Sequence, residues 1–173
     1  MEAVVALGAN LGDRAATLAA AVRELERLPL VERVVASKPI ETVALTVNGP
    51  DASAPAYLNA VALVTTRLAP SVLLGYLHAI EARHGRVRAL RQAQGPEGDA
   101  QGPDTGKWAD RTLDLDLVAY GDVRSDAAAL TLPHPRAAER AFVLGPWLAV
   151  DPDAVLPGHG RVDELLARLR ERE

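Results

Sequence analysis

The chain has 173 residues, enough to bury one core without help from metals or disulfides. Its 19 basic and 23 acidic residues leave a net charge of −4, which argues against a surface built as a whole for nucleic acid or anionic membrane. The absence of cysteine removes disulfides, thiolate zinc sites, iron–sulfur clusters and thiol nucleophiles together, while 49% hydrophobic and 24% charged residues exclude global disorder.

In chain order, Ala3 to Leu7 is an apolar run stopped by Gly8 and suits a buried strand. A turn follows to Asp13. A helix is expected from about Asp13 to Leu28, with Leu18, Val22, Leu25 and Leu28 on one stripe and Pro29 ending it. Val31 to Ser37 reads as a second strand. From Val43 to Ala56 the composition shifts to Thr, Asn, Gly, Pro, Asp and Ser, the signature of a long loop, and long loops in compact domains are often functional. Tyr57 to Leu68 is the next strand. Pro70 opens a helix with the stripe Leu73, Leu74, Leu77 and Ile80, which gives way near Gly85.

The segment from Ala89 to Lys107 is polar and repeats itself. Gln94-Gly95-Pro96-Glu97-Gly98-Asp99 is echoed by Gln101-Gly102-Pro103-Asp104-Thr105-Gly106, with little to bury. Leu113 to Tyr120 alternates as a strand. Leu130 to Pro135 is a short extended piece, Arg136 to Leu148 is helical in part, and Val162 to Arg170 is an amphipathic helix. The order is β-α-β-β-α-β with C-terminal additions. It predicts an α+β, ferredoxin-like fold: an antiparallel sheet with helices packed on one face. A small parallel α/β sheet is the alternative, weakened by the lack of a helix between the second and third strands. The chain is expected to form one domain over 1–173 with a flexible lid at about 89–107. No run of about 18 apolar residues could span a bilayer. The opening residues carry no basic leader, so a cytoplasmic protein is expected.

Asp114 and Asp116 are the sharpest chemical signal. Residues i and i+2 of a strand share a face, so the two carboxylates stand side by side while Leu113, Leu115 and Leu117 face the helices. Such a pair repels itself unless a cation lies between, and one or two carboxylates plus substrate phosphates is a common Mg²⁺ arrangement. A solvated polar strand face is the competing reading. Arg86 and Arg88 lie just beyond a helix end, and Arg111 sits three residues before Asp114. Arginine forks suit phosphate oxygens, although each Arg alone is equally well surface charge. Lys107 and Trp108 crowd the same place. His134 is held between Pro133 and Pro135, with Arg140 and Phe142 close behind. Phe142 fills core, or it forms one wall of a flat-ring pocket with Tyr57 as the other. Other templates fail. Gly102 to Lys107 is one residue short of a phosphate-binding P-loop and continues with Trp108, and the four histidines have no zinc spacing.

Taken together, the motifs resemble the 6-hydroxymethyl-7,8-dihydropterin pyrophosphokinase family of folate synthesis. The resemblance runs from Leu7-Gly8-Ala9-Asn10-Leu11-Gly12-Asp13-Arg14 to Asp151-Pro152. It is carried most specifically by Arg111-Thr112-Leu113-Asp114-Leu115-Asp116, Leu132-Pro133-His134-Pro135 and Arg140-Ala141-Phe142-Val143-Leu144. Tyr57-Leu58-Asn59-Ala60, Ile80-Glu81 and Gly85-Arg86-Val87-Arg88 support it. The resemblance implies pyrophosphate transfer from ATP to the pterin, with two Mg²⁺ ions held by Asp114 and Asp116. It implies a catalytic set of Arg86, Arg111, Asp114 and Asp116. Arg88, Trp108, His134 and Arg140 bind ATP in this scheme. Thr42, Leu45, Tyr57, Asn59 and Phe142 bind the pterin, the two rings as a sandwich and Leu45 through its backbone. Glu81 is carried over with a structural role as the alternative. The implied partners are the two small-molecule substrates, with no nucleic acid and no membrane, and a monomer is expected.

The sequence departs from the family pattern in three places. Lys107-Trp108-Ala109-Asp110-Arg111 replaces Arg-Trp-Gly-Pro-Arg, the segment from Ala89 is longer, and Val43 replaces Pro. Two other classes stay open at this stage: a metal-dependent phosphohydrolase on the same carboxylates, and a non-catalytic ferredoxin-like nucleotide-binding module.

Overall fold

The structure is a computed structural model that describes residues 1–46, 49–51, 56–92 and 112–172, with only the backbone described at 44–46, 49–51 and 86–92. The chain starts with β1 (Glu2–Ala9), α1 (Arg14–Glu26), β2 (Val31–Ala36), β3 (Ile40–Thr42) and the short strands β4 (Ala44–Thr46) and β5 (Gly49–Asp51). It continues through β6 (Tyr57–Thr66), α2 (Pro70–Gln92) and β7 (Asp114–Tyr120). Next come β8 (Ser125–Ala127), β9 (Leu130–Leu132), a 3₁₀ turn at Ala137–Glu139 and α3 (Ala141–Val150). The strands β10 (Val155–Leu156) and β11 (Gly160–Arg161) and the helix α4 (Val162–Arg170) complete it.

The main sheet has the order β2-β6-β1-β7, with β3 also on β6, and its pairings are antiparallel. With α1 and α2 this is the expected βαββαβ core. One face carries Ala3, Val5, Leu7, Ala60, Ala62, Val64, Leu115 and Leu117 against Leu18, Ala21 and Leu25 of α1 and Leu73, Leu77 and Ile80 of α2. Burying each large aliphatic side chain contributes roughly 2 kcal/mol, so this stripe-to-sheet contact is what docks the two helices. The C-terminal additions take the opposite face. There Val4, Val61, Leu63 and Val118 meet Val143, Leu144 and Trp147 of α3 and Val162 and Leu166 of α4. Helices therefore cover both faces of the sheet, the two core helices on one and the two added helices on the other. The α3 sequence could not show its side, because it is apolar nearly all round.

Three local expectations need correction. Gly8 does not stop the first strand: β1 runs to Ala9, and Gly8 pairs with Asn59 on one side and Asp114 on the other. The second long helix does not give way near Gly85 but reaches Gln92, so residues 89–92 are helix rather than loop. A glycine in a helix costs only about 1 kcal/mol relative to alanine, and the residues around Gly85 are good helix formers. The polar stretch from Val43 to Ala56 contains a small hairpin, in which Ala44, Leu45 and Thr46 pair with Asp51, Pro50 and Gly49.

Candidate active site

The site lies on the face of the sheet that carries α3. On β7 the register places Asp114 beside Gly8 and Asp116 beside Ala6. On the other side of β1, Gly8 pairs with Asn59 and Ala6 with Val61. The middle strand thus offers almost no side chain between Asn59 and the carboxylates. A Cβ added at Gly8 would stand 3.2 Å from Asn59 Oδ1. Glycine inside a strand marks a close approach, and here it lets the Asn59 side chain lie over the middle strand. Asn59 is 7% exposed and its Nδ2 donates to Thr42 Oγ1 at 2.7 Å. Thr42 pairs in register with Tyr57, so β3 and β6 bring Thr42, Tyr57 and Asn59 together at one end of the site.

At the other end two groups, Arg140 and His134, converge on Asp116. Arg140 Nη1 donates to Asp116 Oδ2 at 2.9 Å. His134 Nε2 lies 4.0 Å from the same oxygen. The backbone fixes His134 tightly. Its N–H donates to Val118 O at 2.8 Å, on the outer edge of β7, and its carbonyl accepts from Ala137 N. The Arg136 N–H donates to His134 Nδ1 at 3.1 Å. An Nδ1 that accepts leaves the proton on Nε2 in the neutral ring, a tautomer assigned here from the hydrogen bonds. Burial pushes the His134 pKa below its ordinary value, and Arg140 and Arg136 push the same way against the pull of Asp116. On balance the charged ring is disfavoured, and its Nε2 lies on the carboxylate side.

Arg140 also lies over Phe142, with its Cζ 5.7 Å from the ring centroid. Phe142 is half-buried against the core that α3 forms with the sheet. Phe142 thus contacts the core and keeps one side exposed.

Glu81, whose role the sequence left undecided, accepts a hydrogen bond from Leu115 N at 2.7 Å. Leu115 stands between the two aspartates, and β7 is the terminal strand of its sheet. Glu81 takes the place of a neighbouring strand there and fixes the pitch of the carboxylate pair. Gly8 and Ala6 were not foreseen as part of the site. The signal in the sequence is a glycine preceding Ala9 in an otherwise apolar strand.

Asp114 and Asp116 fit a hard divalent cation by donor chemistry. They offer carboxylate oxygens on one strand face, and among the described residues no cluster of three or more metal-ligating side chains forms. Two carboxylates completed by substrate phosphates match Mg²⁺ better than an all-protein cage. The backbone at Arg86 and Arg88 is helical and that at Leu45 is strand. Their side chains, and all of Lys107, Trp108 and Arg111, lie outside the described residues. The lid expected at about 89–107 lies outside them beyond Gln92.

A family model described as 7,8-dihydro-6-hydroxymethylpterin-pyrophosphokinase matches residues 4–152. The chain belongs to this pyrophosphokinase family. A Pseudomonas aeruginosa relative is 39% identical over 165 residues, covering 94% of this chain and 88% of the relative. A Synechocystis relative is 36% identical over 159 residues, covering 92% and 71%. Both are named 2-amino-4-hydroxy-6-hydroxymethyldihydropteridine pyrophosphokinase. The pyrophosphokinase fold is also found in a crystal structure of Plasmodium falciparum HPPK-DHPS with pteroate, at a TM-score of 0.59 and 12% identity. That match covers 99% of this chain and 42% of the Plasmodium chain, and it bears on the fold alone. Among the described residues, no helix is long and apolar enough to cross a membrane.

Proposed function

We propose that this chain transfers pyrophosphate from ATP to 6-hydroxymethyl-7,8-dihydropterin, giving AMP and the pterin diphosphate. The observation that carries the reading is the convergence of Arg140 and His134 on Asp116, on a sheet face that continues across Gly8 to Asn59 and Thr42. One end suits a polyphosphate and the other a flat ring with hydrogen-bonding edges.

In this reading Asp114 and Asp116 would hold Mg²⁺, whose charge would offset that of the triphosphate. His134 donates its Nε2–H to a phosphate oxygen. Arg140 leaves Asp116 and moves to the same phosphates, since a guanidinium fork satisfies phosphate as well as carboxylate. Arg86, Arg88, Trp108 and Arg111 close over ATP. Asn59, Thr42 and the backbone at Leu45 hold the pterin edge between Tyr57 and Phe142. The pterin hydroxymethyl oxygen then bonds to the β-phosphorus, and the bond from that phosphorus to the α–β bridging oxygen breaks. AMP leaves with the bridging oxygen, and Asp114 relays the hydroxyl proton to water. Charge grows on the phosphate oxygens as this happens, so fixed donors aimed at them contribute most of the rate. The chain acts in this reading as a single-domain cytoplasmic monomer on two small molecules.

The test is AMP release measured with and without the pterin. AMP that appears only with both pterin and Mg²⁺ present supports the reading. Phosphate release from ATP alone points to a phosphohydrolase, and binding without turnover points to a non-catalytic module.

A further inference from the structure

The motif Gly12-Asp13-Arg14 has no part in the chemistry above, yet it reaches the ring end of the site. Gly12 has φ +64° and turns the chain out of β1. Asp13 caps α1 by accepting from Ala16 N at 3.0 Å. The side chain of Arg14 therefore starts from a fixed point, the first residue of a capped helix. Its Nη2 donates to Glu41 Oε2 at 3.2 Å, and its Nη1 donates to the carbonyl of Ala56. Glu41 immediately precedes Thr42, and Ala56 immediately precedes Tyr57. One guanidinium thus joins the two chain positions from which the ring-binding residues leave, and Thr42 in turn accepts from Asn59.

We propose that Arg14 is a positioning residue for the pterin subsite, acting through Glu41 and Ala56 to set the spacing of Thr42, Tyr57 and Asn59. The proposal rests on the pterin reading above. Arg14 and Glu41 are 30% and 62% exposed, so their charge attraction is largely screened and adds little stability. What the contact supplies is geometry. The planar fork of arginine meets two acceptors at once, which a lysine ammonium cannot do in the same way. A small misplacement of binding groups costs affinity without unfolding anything.

The experiment measures binding of 6-hydroxymethyl-7,8-dihydropterin in the presence of Mg²⁺ and α,β-methylene-ATP, whose blocked bridge prevents transfer. Arg14→Ala is expected to weaken pterin binding about tenfold, because the ring-binding residues are then no longer held at their spacing before the ligand arrives. Nucleotide affinity and melting temperature should stay close to wild type. Arg14→Lys should fall between the two. Once Arg14 is alanine, adding Glu41→Ala should cost little more, because both changes break one clamp. Pterin binding by Arg14→Ala equal to that of a wild type that binds pterin overturns the proposal alone. So does an equal loss for both ligands with a lowered melting temperature. A wild type that binds no pterin overturns the functional reading and this proposal with it.

Discussion

Glu81→Ala tests how the carboxylate pair is held. The Glu81 carboxylate accepts from Leu115 N at 2.7 Å, and Leu115 is 2% exposed. Its amide faces away from β1, on the side where the sheet has no further strand. Alanine leaves that buried donor without its acceptor. Hydrogen bonds to charged groups are worth about 1.5–3 kcal/mol, and an orphaned buried donor costs a similar amount. A loss of roughly 2 kcal/mol is expected. In a domain of this size that corresponds to a fall in melting temperature of roughly 4–8 °C. Turnover should fall further than the stability loss explains, because Asp114 and Asp116 flank the released amide and lose their common pitch. Glu81→Gln keeps a carbonyl acceptor and should recover about half of both effects. The assay is a thermal melt paired with AMP release at saturating substrates. A Glu81→Ala protein that melts within a degree of wild type, with unchanged turnover, would refute the reasoning.

Replacing Asp114 or Asp116 with alanine should remove at least about 2 kcal/mol of transition-state stabilisation, roughly thirtyfold in rate, measured at limiting Mg²⁺. Near-normal turnover by both variants would count against the metal assignment. Phe142→Ala should weaken pterin binding by roughly 1–3 kcal/mol and ATP binding by less, on the scale of base–aromatic stacking; equal losses in calorimetry would point to core filling alone. Stability should also depend on pH through Glu24. Burial acts to raise the Glu24 pKa, but hydrogen bonds from Arg83 and His84 outweigh it and hold the group below its ordinary 4.5. A depressed carboxylate contributes stability above its unfolded pKa and loses it as pH falls through the folded value. Wild type should therefore exceed Glu24→Gln by about 1 kcal/mol near pH 6, and the gap should close as pH falls well below 4.5. A gap that is unchanged at pH 3 contradicts the assignment.

The sheet and its helices were legible because their signals are periodic. Leu113, Leu115 and Leu117 alternate with Asp114 and Asp116, and this fixes which side of β7 faces α2 and which faces the site. Leu73, Leu77 and Ile80 do the same for α2. Less was readable where no period exists. The side taken by α3 depends on shape, since Val143, Leu144 and Trp147 are buried on a helix with few polar residues to mark an outside. The length of α2 beyond Gly85 depends on helix propensity, which outweighs the cost of a single glycine. For the site, residue types sufficed to nominate Asp114, Asp116, His134 and Arg140. They could not show that Arg140 and His134 meet at one oxygen of Asp116, which follows from the chain returning along the edge of β7 at Val118. Likewise, Gly8 gains meaning only from the neighbours that register gives it, Asn59 and Asp114.

In the proposed reaction a β-phosphorus, with its γ-phosphoryl attached, moves from ATP to the pterin. ATP labelled at the β-phosphorus tests it most directly, with products separated after incubation with the wild-type chain, 6-hydroxymethyl-7,8-dihydropterin and Mg²⁺. The account predicts label in the pterin product, none in AMP, and one AMP released for each pterin converted. Label in ADP would mean that only the γ-phosphoryl moves, and label in free pyrophosphate with unchanged pterin would mean hydrolysis; either result contradicts the account.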